Sequence, residues 1–240
     1  MLRLFCFIWV AAVWIGSITF SEPLKITYME GTVNNQINKW IMEEVYRRAE
    51  VEVDFIVVPP KRASLMGKSG ASDGETSRVE RYGANRPYLT MISTPIGSLD
   101  TTVFMRNDVN AEEISFENLK TTRVGVVRGI KHAEDAVKNY EFVTTFSTIR
   151  ELIRALDIGR VDAIVHSSSA VNFELFRLNK KTIVPMVPPV RSQSVHHFLR
   201  SEYVQEAERI EATLQELVAT GELVKIRAKA TQRFYETYSK

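Results

Sequence analysis

The sequence predicts an α/β protein with largely parallel sheets, and three observations carry that prediction. Short apolar runs such as "LKITYM", "VEVDFIVV" and "VDAIV" read as strands. Between them lie stretches whose apolar residues recur at helical spacing. Proline and glycine close several of these segments, at Pro59 and Pro60, at Gly159 and at Gly221. An order of strand, helix, strand places helices on the faces of a parallel sheet.

Taken in order, "LKITYM" is the first strand and "NQINKWIMEEVYRRAE" the first helix, with Ile37, Trp40, Ile41, Val45 and Ala49 on one face. "VEVDFIVV" completes a βαβ unit, and "KRASLM" begins a short helix after the two prolines. "GKSGASDGETSRVERYGANRP" predicts loops around a short strand or turn at "DGETSRV", and Thr101 to Met105 is the next good strand. A second set follows: a short helix near "FENL", the strand "RVGVV", a helix from about Ala133 to Tyr140, and "EFVTTF" as a connection. Thr148 with Glu151 fits a capping box for "IRELIRALD", whose buried stripe is Ile149, Leu152, Ile153 and Leu156. "VDAIV" is a buried strand, "SAVNFELFRLN" a helix, "TIVPMVPPV" an extended return and "SVHHFLR" a strand. A long helix from about Glu202 to Thr220 takes Ser201 as its N-cap, and "ELVKIRAKATQRFYETY" forms a final helix.

Arg3 precedes "LFCFIWVAAVWIGSITF", an apolar run with the shape of a secretory signal peptide; the small residues Thr19 and Ser21 fit a cut after Ser21, with a cut near Gly16 or Ser17 and an uncleaved N-terminal anchor as the alternatives. Residues 1–21 are then the leader, and the mature chain lies in the periplasm. Cys6 is the only cysteine, so the mature chain has neither a disulfide nor a thiolate metal site. Without Arg3, 30 basic residues stand against 29 acidic ones, a balance that argues against nucleic acid as a partner.

At this point five phrases in order, "LKITY…IMEEVYRRAEVEVDFIVVP", "DGETSRV", "FENLKTTRVGVVRG", "IRELIRALDIGRVDAIV" and "LQELVATGELVKI", resemble the signature stretches of extracellular solute-binding proteins of the amino-acid (family 3) type. The resemblance implies a type II periplasmic binding fold of two α/β lobes joined by two hinge crossovers. It places the first lobe at 22–104 and 190–240 and the second at 105–189, with crossings near Phe104 to Asn107 and Val187 to Val190. It also implies a monomer that closes on a small solute and serves an inner-membrane permease of ABC type, or a sensor protein in the same membrane.

The resemblance assigns site residues too. Arg78 matches the arginine that clamps a ligand carboxylate, and a guanidinium is the planar, always charged partner for that task. The bland reading is a surface arginine in a charged loop. "VVRGIKHAE" resembles a second-lobe loop whose backbone N–H groups at Gly129, Ile130 and Lys131 meet an anion at a helix start. Ser167 falls where many amino-acid binders carry the aspartate that takes the ligand ammonium, and a hydroxyl cannot neutralise an ammonium. The expected ligand is therefore a carboxylate other than a standard α-amino acid, with Ser167 and Ser168 adding hydroxyls and His166 within reach. The stacking aromatic phrase after "LKITY" is missing, leaving Tyr28 and Glu30, and Arg62 is a further cleft candidate. Catalysis has no support: adjacent His196 and His197 point to opposite strand faces, and no phosphate loop or zinc-protease motif occurs. A dehydratase-like enzyme on the same fold is the minor alternative, and neither metal nor cofactor is expected.

Overall fold

The computed structural model describes residues 22–29, 31–108 and 118–239, with the side chain of Pro60 left aside. The expected leader at 1–21, Glu30, and the first residues of "FENL" lie outside them. Ten strands of the described residues form one sheet, eight of them along the path β2-β1-β3-β10-β5-β8-β6-β7 and two short strands at its side. That path divides into two α/β lobes.

In the first lobe β1 (Leu24–Met29) pairs in parallel with β2 (Val53–Val58) and β3 (Gly74–Val79). Between β1 and β2 runs α1 (Val33–Arg48), opened by Thr32, whose hydroxyl accepts the Asn35 N–H. Between β2 and β3 lies α2 (Pro60–Ser69). Pro60 is a first helical residue, where its fixed φ suits the helix and its missing N–H costs nothing. β4 (Leu89–Met91) adds an antiparallel edge to β10 (Arg191–Arg200), which also pairs with β3. α6 (Val204–Ala219) and α7 (Glu222–Tyr238) cover the face that holds α1. Ile26, Ile41, Met42, Val45, Tyr46, Ile210 and Leu214 fill the core beneath them. Burying each aliphatic side chain there contributes about 2 kcal/mol relative to exposure.

In the second lobe β6 (Arg123–Val127) pairs in parallel with β7 (Phe142–Phe146) and β8 (Ala163–Ser167). The alternation of a strand feeds both faces. Phe104 and Ile164 pack under α4 (Ile149–Asp157) and α5 (Ser168–Arg177), whereas Val103, Val124 and Val165 pack under α3 (Lys131–Ala136). β9 (Ile183–Pro185) flanks β5 (Gly97–Arg106).

One strand carries the chain from lobe to lobe. β5 pairs with β10 from Gly97 to Thr101 and with β8 from Thr101 to Met105, so its partner changes at Thr101 inside an unbroken strand.

Several elements differ from the expectation. "EFVTTF" is the strand β7, because the free edge of β6 takes it up along five register pairs. α3 ends at Ala136 rather than near Tyr140, and a turn with Tyr140 N–H on the Val137 carbonyl follows it. Ser201 does not cap α6, which begins at Val204 behind Tyr203. Its amide donates to the Tyr88 carbonyl and its hydroxyl to Pro87, so the side chain is taken by a tertiary contact. Thr148 accepts the Glu151 N–H at 3.1 Å as the spacing predicts, while the Glu151 carboxylate accepts from Ser147.

Candidate functional site

Parallel strands leave their carboxyl ends at one edge of each lobe, and in open α/β sheets ligands bind outside those ends. On the first lobe that edge holds Tyr28 at the end of β1 and Arg78 near the end of β3. The Arg78 Nε donates to Glu75 Oε2 at 2.5 Å and its Nη1 lies 2.8 Å from the Met29 sulfur. Its Nη2 is buried and has no partner among the described residues. The guanidinium lies over the Tyr82 ring, 4.6 Å from its centre, a cation–π contact.

Glu75 is 3% exposed in its side chain and accepts the Tyr82 hydroxyl at 2.5 Å. Ser64 of α2 meets the same hydroxyl at 2.8 Å. Burial first, then the Glu75 carboxylate, raises the Tyr82 pKa above the ordinary phenol value. Arg78 is thus no surface arginine. It is half of a buried ion pair, and what it offers a ligand is the Nη edge of a group already neutralised. α2 contributes Ser64 to this network, while Arg62 is exposed in the first turn of the same helix and shares none of these hydrogen bonds.

The second lobe presents a different arrangement from the one expected at Gly129, Ile130 and Lys131. Gly129 adopts a φ of 82°, a left-handed turn open to glycine, and its N–H donates to Glu134 Oε1 at 2.7 Å. The Ile130 N–H donates to the Val127 carbonyl at 3.3 Å. Lys131 is 82% exposed and lies 3.7 Å from the other Glu134 oxygen. A carboxylate of the chain itself therefore occupies the place where the sequence suggests a ligand anion. Both amides are engaged within the chain in this structure, and Glu134 is a residue that the sequence reading did not single out.

At the crossing strand two histidines meet. His166 and Ser167 are both buried, and the Ser167 N–H donates to His166 Nδ1 at 2.8 Å, which fixes that nitrogen as an acceptor. The Ser167 hydroxyl lies 3.3 Å from the same nitrogen. His132 of α3 stands edge-on to His166 at 5.8 Å between ring centres, with Nδ1 2.9 Å from the Thr101 hydroxyl. Burial, then the neighbouring His132, pushes the His166 pKa down to about 4, and burial lowers that of His132. Both rings are neutral near pH 7. Ser167 pairs with Thr101 in register and Ser168 opens α5, so the strand delivers its serines to the point where the lobes join.

The structure thus gathers His166 and Ser167 with His132 and Thr101 on one side, and Arg78 with Glu75, Tyr82 and Met29 on the other. Arg81, just past β3, reaches Asp135 of α3 at 3.9 Å and spans the two lobes. His196 and His197 point to opposite faces: His196 Nδ1 meets the Ile92 carbonyl, and His197 joins Tyr46 and Thr76. Among the described residues no three His, Cys, Asp or Glu side chains group as a metal site. No helix of the described residues is long and apolar enough to cross a membrane.

No family model matches the chain, and no curated protein does. Solved structures do match along most of its length. The ligand-binding core of GluR0 in complex with L-glutamate superposes with a TM-score of 0.68 at 16% identity, covering 90% of this chain and 99% of that one. Substrate-binding domain 2 of Lactococcus lactis GlnP, in its open conformation, gives 0.65 at 17% identity over 88% of this chain and 96% of that one. The periplasmic VFT2 domain of Bordetella pertussis BvgS gives 0.62 at 15% identity over 86% and 92%. At these identities the likeness is one of fold, and the chain has the two-lobed α/β, type II periplasmic-binding fold that the amino-acid solute-binding domains share.

Proposed function

We propose that the protein is a periplasmic solute-binding protein that closes its two lobes around a small carboxylate-bearing solute for ABC-type uptake. The observation that carries this reading is the Arg78 Nη2, buried at the carboxyl edge of β3 with no hydrogen-bond partner among the described residues. An unsatisfied buried donor costs about 1–3 kcal/mol, and an incoming carboxylate on the Nη edge would remove that cost. The neutral Ser167 and the neutral His166 and His132 offer no counter-charge to an ammonium, which favours acids without one. Binding without chemical turnover is the role, in keeping with the matched structures, which are binding domains.

The lobe limits are 22–104 with 190–240, and 105–189. The crossings lie near Phe104 to Asn107 and Val187 to Val190, a few residues beyond Thr101 and Arg191, the register pair where β5 leaves β10 for β8. Lobe closure about such a hinge is the working motion. The permease in the inner membrane is the partner, and the protein acts as a monomer.

A second reading, a sensor module that works on a membrane signalling protein, is favoured by one feature. Phe173 of the second lobe belongs to the hydrophobic core of the first, which ties the lobes together more tightly than free uptake closure requires.

The test is a thermal-shift screen against amino acids, small carboxylates, amines, sugars and peptides. A ligand at a hundredfold excess over its Kd adds about 2.7 kcal/mol of stability. A hit among carboxylates lacking an ammonium, lost when Arg78 and Glu75 are replaced together by Met and Gln, supports uptake of such a solute. A blank across the panel removes the uptake reading.

A further inference from the structure

Away from the Arg78 network, a cavity of about 560 Å³ opens beside the start of β5, between α1 and α7 of the first lobe and the first turn of α5 in the second. That volume lies in the range of small-molecule sites, roughly 300–1,000 Å³. Ile37, Ile96, Leu223, Val224 and Tyr235 give it a mainly apolar wall.

Arg227 of α7 projects into this wall. Its Nη2 donates to the Ile96 carbonyl and, at 3.3 Å, to the Asn38 amide oxygen. Both acceptors are neutral, and among the described residues no carboxylate forms an ion pair with Arg227. A Cβ at position 97 would run into the guanidinium, so Gly97 is what lets the cation lie against the strand backbone. A partly buried cation held only by dipoles is incompletely compensated. Burial also lowers its pKa from the usual arginine value.

Two further features point the same way. Ser168 and Ser169 place the first turn of the ten-residue α5 on the cavity, and Ser167 at its cap position makes no side-chain bond to the turn amides. The α5 dipole therefore adds positive potential opposite Arg227. Asp100 also lines the cavity, but its carboxylate is held by Ser98 at 3.1 Å and Ser192 at 2.6 Å rather than by Arg227.

We propose that this inter-lobe cavity is a second ligand site, which takes a small carboxylate with an apolar tail and anchors it on Arg227. The carboxylate meets Arg227 and the start of α5 while the tail lies on Leu223, Val224 and Tyr235. The ligand touches both lobes and holds them in this relation.

Isothermal titration with 4-methylpentanoate, and with its uncharged amide as control, tests the site. The acid is expected to bind the wild-type protein at least tenfold more tightly than the amide. Arg227→Met is expected to weaken the acid at this cavity at least tenfold, and Asn172→Phe, which fills the cavity from the exposed side of α5, to abolish binding there. Each is compared with and without the Arg78→Met and Glu75→Gln pair, so that binding at the cleft is separated. The paired Arg78→Met and Glu75→Gln protein is expected to keep binding at the cavity. Absence of binding to the wild-type protein at millimolar acid overturns the proposal, as does undiminished binding to Asn172→Phe. Binding lost in the Arg78 and Glu75 pair but kept in Arg227→Met also overturns it and assigns the acid to the cleft instead. If Arg227→Met does not fold, Asn172→Phe and the amide control decide.

Discussion

Arg78 shows how one side chain can be both structural and functional. With Glu75 nearly fully buried, Arg78→Ala alone strands a carboxylate, and breaking a buried pair in this way costs about 3–5 kcal/mol. Replacing both partners by Met and Gln is expected to cost far less, and urea unfolding of the single and paired variants measures the difference. A second residue-scale prediction concerns pH. His197 is fully buried, with Nε2 2.9 Å from the Tyr46 hydroxyl and Nδ1 3.2 Å from the Thr76 carbonyl. The Thr76 carbonyl can only accept, so Nδ1 carries the proton and Nε2 accepts from Tyr46. Burial pushes the His197 pKa from 6.5 down to about 4. Between those values the unfolded chain binds the proton and the folded chain does not, so stability is lost as pH falls through that window. The loss is on the order of 3 kcal/mol for such a histidine, with His166 adding in the same direction. Denaturant midpoints at pH 7 and pH 4.5 should show the drop, and His197→Gln should flatten it.

At the scale of elements, α4 offers the plainest test. Its N-terminus is closed by Thr148 and Glu151, and Thr148→Ala is expected to cost about 1 kcal/mol of stability. The same measurement on Ser201→Ala should show no loss of an α6 cap, because Ser201 bonds to the segment before β4 instead. Capping by Thr148 was legible because both partners sit within one turn of sequence. Ser201 misleads for the opposite reason: its real partner is 114 residues away. "EFVTTF" was unreadable as a strand on similar grounds. Phe142, Val143 and Thr145 are exposed, so the apolar alternation of a half-buried strand is absent, and only pairing with β6 reveals it.

For the whole molecule, the joint between α5 and α7 decides how the lobes behave. Phe173 meets Phe234 at 4.8 Å and Tyr235 at 5.3 Å between ring centres, and Phe176 meets Tyr235 at 4.9 Å. Such aromatic pairs add about 0.5–1.5 kcal/mol each beyond burial. The lobes therefore share part of one core and are expected to unfold in a single transition. Phe173→Ala is expected to cost about 3–5 kcal/mol and to let calorimetry resolve two transitions. One unchanged transition in the variant would mean that the β5 and β10 crossing alone couples the lobes. Small-angle scattering on the same variant should show a larger radius of gyration, since the aromatic contact between α5 and α7 no longer limits opening.

The sequence by itself determined the α/β class, the order of nearly every element and several of their ends. Those features follow from local periodicity, capping and turn chemistry, which act within a few residues. It also marked Arg78 and Ser167, through phrases that resemble known solute-binding chains. Only the tertiary structure decided what those residues face. Glu75 neutralises Arg78, Glu134 closes the Gly129 turn, and His132 meets His166 across the lobe from α3 to β8. The cavity at Arg227 likewise needs α1, α5, α7 and β5 brought together from distant parts of the chain. Charge balance and burial at a site depend on which groups become neighbours in space, and no local pattern in a single sequence encodes that.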